Sequence, residues 1–186
     1  MTTTPVAAAG PTTARLRALV TAVRETVDRG LAPGPTSRLV AERIAPHLGA
    51  PDLLTPEQCA PDPVHYRQHV LHAEPDGSFS VVAIVWLPGQ STPIHDHVSW
   101  CAAGVHRGEE HERRYQLVPD GTSARLVATE DVVNRAGEVA AFAPPGDIHS
   151  VRNSGDGTAL SLHVYGADIT RLGTSVRRLY RLPAGR

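Results

Sequence analysis

The chain has no long apolar run, no surplus of charge of either sign and almost no cysteine, and each absence removes a class of function. Its longest apolar stretch, around Val81–Leu87, falls far short of the roughly 20 residues that span a bilayer, so no membrane helix is expected. With 18 Lys+Arg against 19 Asp+Glu, the formal net charge is −1, too balanced to favour nucleic acid or an anionic membrane as a partner. The two cysteines, Cys59 and Cys101, are too few for a disulfide scaffold and suit a reducing compartment. The first ten residues lack a basic segment followed by an apolar one, so no secretory signal is read there. There is no internal repeat and no linker long enough to separate two independent domains. The expectation is a soluble, cytoplasmic protein of one domain, large enough at 186 residues for a proper core.

What is present falls into two parts. Residues 1–11 are rich in Thr, Ala and Pro and are expected to be disordered. Residues 12–62 read as a helical segment. Leu16, Leu19, Val20, Val23 and Val27 fall at helical spacing from Thr13, and Gly30 supplies the stop. A second helix is expected over Ser37–Ala45, capped by Thr36 or Ser37 and ended by Pro46. Thr55-Pro56-Glu57-Gln58 has the form of a capping box opening one further turn. From Pro63 onward the pattern becomes short β-prone runs between turn signals: Tyr66–His72, Phe79–Trp86, Ile94–Val105, Arg113–Val118, Ala124–Thr129, Glu138–Phe142, Ile148–Val151 and Ala159–Tyr165. Strands at this spacing predict a mainly β sandwich or barrel over residues 63–186 rather than a parallel α/β sheet. The tail Arg171–Arg186 is ambiguous between helix and strand.

The chemistry concentrates in histidine. His95 and His97 are one residue apart, so on a strand both rings face the same side. His149 lies in a second turn-rich segment, Pro144-Pro145-Gly146-Asp147-Ile148-His149, and a third imidazole from a distant strand would close a facial metal set. Three neutral imidazoles leave a divalent ion its full charge and about three open positions. Such a site favours an anionic substrate that brings its own charge, a thiolate above all, because metal coordination deprotonates a thiol. The same donors would also accept Zn²⁺ and activate water. Ser161, His163 and Tyr165 alternate and would face one side of a strand, as would His95, His97, Ser99 and Cys101 if no bulge intervenes. Cys101 could equally be core filler. The other histidines (His47, His65, His69, His72, His106 and His111) lack a ligand-like context, and Cys59 reads as a plain thiol.

From Gly89 five residues lead to His95, Asp96 and His97, three more to Cys101 and six more to Gly108, while two residues separate Gly146 from His149 and three separate His149 from Asn153. These spacings resemble the two motifs of the cupin superfamily, with Cys101 where the general pattern has a Glu ligand. More narrowly, the stretch from Tyr66 to Tyr165 resembles the cysteine dioxygenases and their bacterial relatives, the 3-mercaptopropionate dioxygenases. Pro93-Ile94-His95-Asp96-His97 looks like that family's ligand strand, His149 like its third ligand, and Ser161-Leu162-His163-Val164-Tyr165 like its Ser-x-His-x-Tyr run. Cys101 matches a cysteine that in some members is thioether-linked to the tyrosine. The resemblance implies a cupin double-stranded β-helix, a jelly-roll barrel with short N-terminal helices. It also implies Fe(II) as cofactor, O₂ as co-substrate, and a reaction that places both oxygen atoms on a thiol to give a sulfinate. His95, His97 and His149 would be the metal ligands, with Tyr165, His163, Ser161 and Cys101 as the catalytic set.

The substrate is expected to be a small carboxylate-bearing thiol. Gln68, Arg67 and Arg171 are the candidates for holding its polar end, with Arg177 also in view; an arginine fork suits a carboxylate. The family comparison splits here. Cys101 favours L-cysteine, whereas Gln68, with an arginine beyond Tyr165, favours 3-mercaptopropionate; L-cysteine is placed slightly ahead. Two readings from other classes stand beside the enzyme: a metal-binding cupin that senses or stores a small thiol, and a Zn- or Mn-dependent cupin hydrolase or isomerase. Neither nucleic acid nor membrane is expected as a partner. Monomer and dimer are both compatible with the sequence.

Overall fold

A computed structural model describes Val6–Ala7 and residues 12–182; most of the expected disordered N-terminus lies outside these described residues. The backbone of β1 (Val6–Ala7) pairs in parallel with Gln68 and His69. Helices α1 (Ala14–Val27) and α2 (Pro33–Ile44) follow, then 3₁₀ turns at Ala45–His47 and Glu57–Cys59. The strands are β2 (Arg67–Ala73), β3 (Ser80–Trp86), β4 (Ile94–His97), β5 (Cys101–Arg107), β6 (Glu109–Asp120), β7 (Ser123–Arg135), β8 (Val139–Phe142), β9 (Ile148–Arg152) and β10 (Ala159–Tyr165). A short helix α3 (Ile169–Leu172) and strand β11 (Val176–Tyr180) complete the order. One sheet runs β1-β2-β3-β10-β5-β8 and the other β11-β4-β9-β6-β7. Apart from β1, every pairing is antiparallel. The two sheets form a double-stranded β-helix, the jelly-roll barrel expected. Among the described residues no helix is long and apolar enough to cross a membrane.

The helices explain why two strands read as unbroken apolar runs. Leu16, Leu19, Val20 and Val23 of α1 and Val40, Ala41 and Ile44 of α2 pack on Val81, Ala83 and Val85 of β3 and Leu160, Leu162 and Val164 of β10. The alternate residues Val82, Ile84 and Trp86, with Ala159 and Tyr165, face the barrel interior. Both faces of the six-stranded sheet are therefore covered, and β3 is buried from end to end. Parity on β10 then sends Ser161, His163 and Tyr165 inward together. Helix α2 comes so close to β5 that a Cβ on Gly104 would meet Ile44 Cγ2 and Leu48 Cδ1 at 2.9 Å.

Local signals act largely as their chemistry requires, with three corrections. The Thr13 side chain caps α1 by accepting from Leu16 N–H at 3.0 Å. Thr55 and Gln58 cap each other: Thr55 N–H donates to Gln58 Oε1 at 3.0 Å and Gln58 N–H to Thr55 Oγ1 at 3.4 Å. The second helix, however, begins at Pro33 rather than Ser37. Proline's fixed φ suits the first turn, and the Thr36 and Ser37 hydroxyls donate back to Ala32 and Gly34 carbonyls at 3.0 Å instead of capping. The expected strand Ile94–Val105 is two strands in different sheets, broken at Val98–Trp100. That break removes Ser99 from the parity of His95 and His97; its hydroxyl donates to Trp100 O at 3.2 Å. In the ambiguous tail the described residues hold both forms, α3 ending at Leu172 and β11 beginning at Val176.

Candidate metal centre

The five-stranded sheet supplies all three imidazoles. His95 and His97 alternate with Asp96 along β4, and His149 on β9 is the direct cross-strand partner of His95. All three are buried, with exposures of 5%, 2% and 4%. One ring nitrogen of each lies within 4.8 Å of the others, and among the described residues this is the one group of three or more His, Cys, Asp or Glu so placed.

A hydrogen-bond acceptor fixes each ring. The His95 Nδ1–H donates to Pro93 O at 2.9 Å, the His97 Nδ1–H to Asp147 Oδ2 at 3.0 Å, and the His149 Nδ1–H to Glu112 Oε1 at 3.0 Å. An acceptor at Nδ1 fixes the proton there and leaves Nε2 with its lone pair, the form a metal requires. Burial, helped by the neighbouring imidazoles, pushes His95 well below the usual histidine range, and burial lowers His97. Burial alone would raise the Glu112 carboxyl, but hydrogen bonds from His149 and Arg114 bring it down to about 2. Asp147 is likewise lowered, the His97 ring and backbone N–H outweighing burial. The geometry therefore supplies three neutral nitrogen donors with anionic orienters behind two of them. These residues fit a divalent first-row metal.

A cavity of about 420 Å³ opens beside the imidazoles. Tyr165 and His163 line it with His95 and His97. Behind them the Ser161 hydroxyl lies 2.9 Å from His163 Nε2, and His163 Nδ1 lies 3.4 Å from the Tyr165 hydroxyl. Trp86 Nε1–H donates to Ser161 Oγ at 3.2 Å. Cys101 stands directly across the β5–β10 ladder from Tyr165. Burial pushes both groups, the Cys101 thiol and the Tyr165 phenol, well above their usual ranges. Burial also lowers His163 to about 3, with His97 and His149 adding to it.

The proposed polar anchors separate. Gln68 lines the cavity, opposite the inward-facing Ile84. Arg67 pairs with Val85, whose side chain packs on the helices, so the period of two turns Arg67 away from the cavity. Arg171 is also misplaced by the sequence reading. It sits on α3, 69% exposed, with Nε 3.0 Å from Asp168 Oδ2 and its tip donating to Pro75 O. The arginines that reach the cavity are Arg177 and Arg178. The β11–β4 register shifts between Val176 and Arg178, leaving Arg177 as the extra residue of a bulge, a device that re-aims a side chain. Its Nε donates to the buried Asp96 Oδ2 at 3.2 Å, and the Tyr180 hydroxyl reaches the same oxygen at 2.9 Å. The sequence reading also missed Asp147, Glu112 and the wholly buried Glu110. Only Asp147 had a visible signal, its place two residues before a ligand.

A model of cysteine dioxygenase type I matches residues 59–173. The chain belongs to this family. The match spans β2 to α3 and so takes in all three imidazoles, the Ser161–His163–Tyr165 run and both buried carboxylates behind the rings. Solved structures with a similar fold are more distant. A conserved double-stranded β-helix protein from Klebsiella pneumoniae is 22% identical with a TM-score of 0.46, over 60% of this chain and 85% of its own. A Cupin 2 conserved barrel protein from Salinispora arenicola is 22% identical with a TM-score of 0.43, over 62% and 88%. A cupin superfamily protein from Desulfitobacterium hafniense is 12% identical with a TM-score of 0.45, over 65% and 95%.

Proposed function

We propose that the protein is an Fe(II)-dependent thiol dioxygenase that places both atoms of O₂ on the sulfur of a small carboxylate-bearing thiol, with His95, His97 and His149 as the iron ligands. The observation that carries this reading is the set of three buried imidazoles whose Nδ1 protons are all engaged, beside a cavity and within a member of the cysteine dioxygenase family. When bound, ferrous iron would supply the Lewis acidity that ionises a thiol and the redox chemistry that engages O₂. The protein's own groups bind and orient. No carboxylate lies in the ligand group among the described residues, which favours an anionic sulfur as the charge-compensating partner. Tyr165, held by His163 and Ser161, presents a neutral phenol to the cavity as donor or acceptor.

The cavity lining moves the substrate preference from L-cysteine towards 3-mercaptopropionate. Arg177 and Arg178 offer cations for a carboxylate and Gln68 a neutral donor and acceptor, while among the described residues no Asp or Glu lines the cavity. An ammonium group would therefore lack an anionic partner there, and a desolvated charge without one is costly. Cys101 facing Tyr165 supports the thioether that the family resemblance implies. Intact mass should show loss of a hydrogen pair, and Cys101→Ser should abolish it.

The test is O₂ uptake by iron-loaded protein with 3-mercaptopropionate and with L-cysteine, using isotopically labelled O₂. Sulfinate carrying both labelled atoms, with 3-mercaptopropionate giving the higher kcat/KM, is the expected outcome. His149→Ala should lose iron and turnover together. A metal-loaded protein that consumes no O₂ with either thiol above the iron-free control would end the enzyme reading and leave a thiol-sensing or zinc-dependent role.

A further inference from the structure

Glu110 has no part in the chemistry so far, yet its surroundings are unusual. It lies on β6, two residues before the Glu112 that holds His149, and is 4% exposed. Its carboxyl hydrogen-bonds with the Ser161 side chain from β10 and the Trp86 indole from β3, while its Oε1 has no hydrogen-bond partner. Asn134 pairs with it from β7. The charge acting on it is that of Glu112, with no cation to offset it, and its own charge in turn raises Tyr165. Strand β9 faces the same interior with Val151 and with His149, the latter held by Glu112. Burial, reinforced by Glu112, outweighs the two hydrogen bonds and lifts the carboxyl to about 7.

We propose that Glu110 is a positioning residue for the reaction: the proton on its carboxyl sets the direction of the Ser161–His163–Tyr165 chain, and so decides whether Tyr165 turns a hydrogen or a lone pair towards the substrate. Hydrogen-bond counting gives two complete arrangements. With Glu110 protonated, its O–H donates to Ser161 Oγ, Ser161 donates to His163 Nε2, and the His163 Nδ1–H donates to the Tyr165 oxygen. The phenol hydrogen then faces the cavity. With Glu110 ionised, each donor reverses: Tyr165 donates to His163 Nδ1, the Nε2–H donates to Ser161, and Ser161 donates to the carboxylate. Trp86 shares its one N–H between Ser161 and the carboxyl in both, so the hydroxyl makes one donation and two acceptances either way. The Ser175 side chain is a second hydrogen-bond neighbour of Tyr165 and can serve the phenol in either state.

The two arrangements differ by a single proton and interconvert by moving each hydrogen one step. Starting from protonated Glu110, the carboxyl hydrogen passes to Ser161, that of Ser161 to His163 Nε2, that of Nδ1 to Tyr165, and the phenol hydrogen to an anionic group in the cavity. Serine, histidine and tyrosine all end neutral, and the chain is left in the second arrangement. Run backwards, the same shift takes the proton of a bound thiol and stores it on Glu110. His163, lowered to about 3, and Tyr165, raised well above its usual range, would each resist holding a charge, so the charge resides at the two ends.

The test reads the His163 tautomer by ¹⁵N NMR of metal-free, histidine-labelled full-length protein, with His163→Gln to assign the signal. In the wild type the proton should move from Nδ1 to Nε2 as pH rises through about 7. An infrared carboxyl band should disappear at the same midpoint. In Glu110→Gln the tautomer should be constant with pH, and the iron-loaded variant should lose the corresponding inflection in kcat/KM while retaining iron. A wild-type tautomer that never changes overturns the proposal, as does a midpoint unlike that of the carboxyl band or a switch that persists in Glu110→Gln. The kinetic arm rests on the dioxygenase reading. The spectroscopic arms do not, so absent turnover with an intact tautomer switch would count against the enzyme and not against Glu110.

Discussion

Asp147 and Glu112 hold two of the imidazoles by their Nδ1 protons, and each can be neutralised with little change of shape. In Asp147→Asn or Glu112→Gln the acceptor loses its charge and the amide can turn a donor towards the ring, so the Nδ1–H tautomer loses support. Removing such an orienting partner typically weakens metal binding by about 10- to 100-fold. A chelator-competition titration with Fe(II) should find a loss of that size in each variant, and unchanged affinity would mean the rings are fixed by packing alone. The same scale shows what the sequence could and could not disclose. The ligands were legible because strand parity brings His95 and His97 together and turn residues mark His149. Glu110 and Glu112 were not, because Glu109-Glu110-His111-Glu112-Arg113-Arg114 contains no apolar residue to mark which parity faces inward. Arg177 was one candidate among several, and nothing in the sequence set it above Arg171, because the bulge that re-aims it depends on pairing with β4 and leaves no local signature.

At the level of elements, the seam between α2 and β5 makes a specific demand. Gly104 has ordinary strand φ, so its constraint is space: a Cβ would stand 2.9 Å from both Ile44 Cγ2 and Leu48 Cδ1. Gly104→Val should force α2 off the sheet, and overpacking of this kind destabilises by about 1–3 kcal/mol. Denaturant unfolding should show a lower midpoint with unchanged slope, and Leu48→Ala in the same chain should recover part of the loss. No recovery would mean the helix moves without strain. Element type was readable wherever one physical cause dominated. Helix α1 has its cap and apolar spacing, and β10 was placed from Ala159 to Tyr165. The β6–β7 hairpin runs longer than the reading because its outer part is charged. Arg113–Asp131 and Arg114–Glu130 are cross-strand partners joined by ion pairs at 2.7 and 2.8 Å. Such pairs are partly exposed and individually weak, but they let a polar segment extend a ladder that β-propensity alone would end.

For the whole molecule, the layered plan followed from pattern, helices outside one sheet and polar side chains inside the barrel, and that plan places an ionisable group where folding must work against its charge. Glu110 carries a proton up to about 7 when folded, against 4.5 for the ordinary carboxyl. Below 4.5 it is neutral in both states and its contribution is fully present. Between 4.5 and 7 the unfolded chain has released the proton and the folded chain has not, so stability falls as pH rises. Above 7 the loss is complete, and a shift of this size corresponds to about 3 kcal/mol. The buried histidines act in the opposite sense: His163, at about 3 against 6.5, and His95, also lowered, add stability as pH climbs towards 6.5. The wild-type profile is the sum of these trends and can look flat. Subtraction isolates the carboxyl: Glu110→Gln lacks only its titration, so metal-free variant and wild type should differ by an amount that changes by about 3 kcal/mol between pH 4 and 8, in the variant's favour at the alkaline end. Urea unfolding at closely spaced pH values reads this directly. Parallel profiles would mean that the Glu110 carboxyl keeps an ordinary acidity inside the barrel.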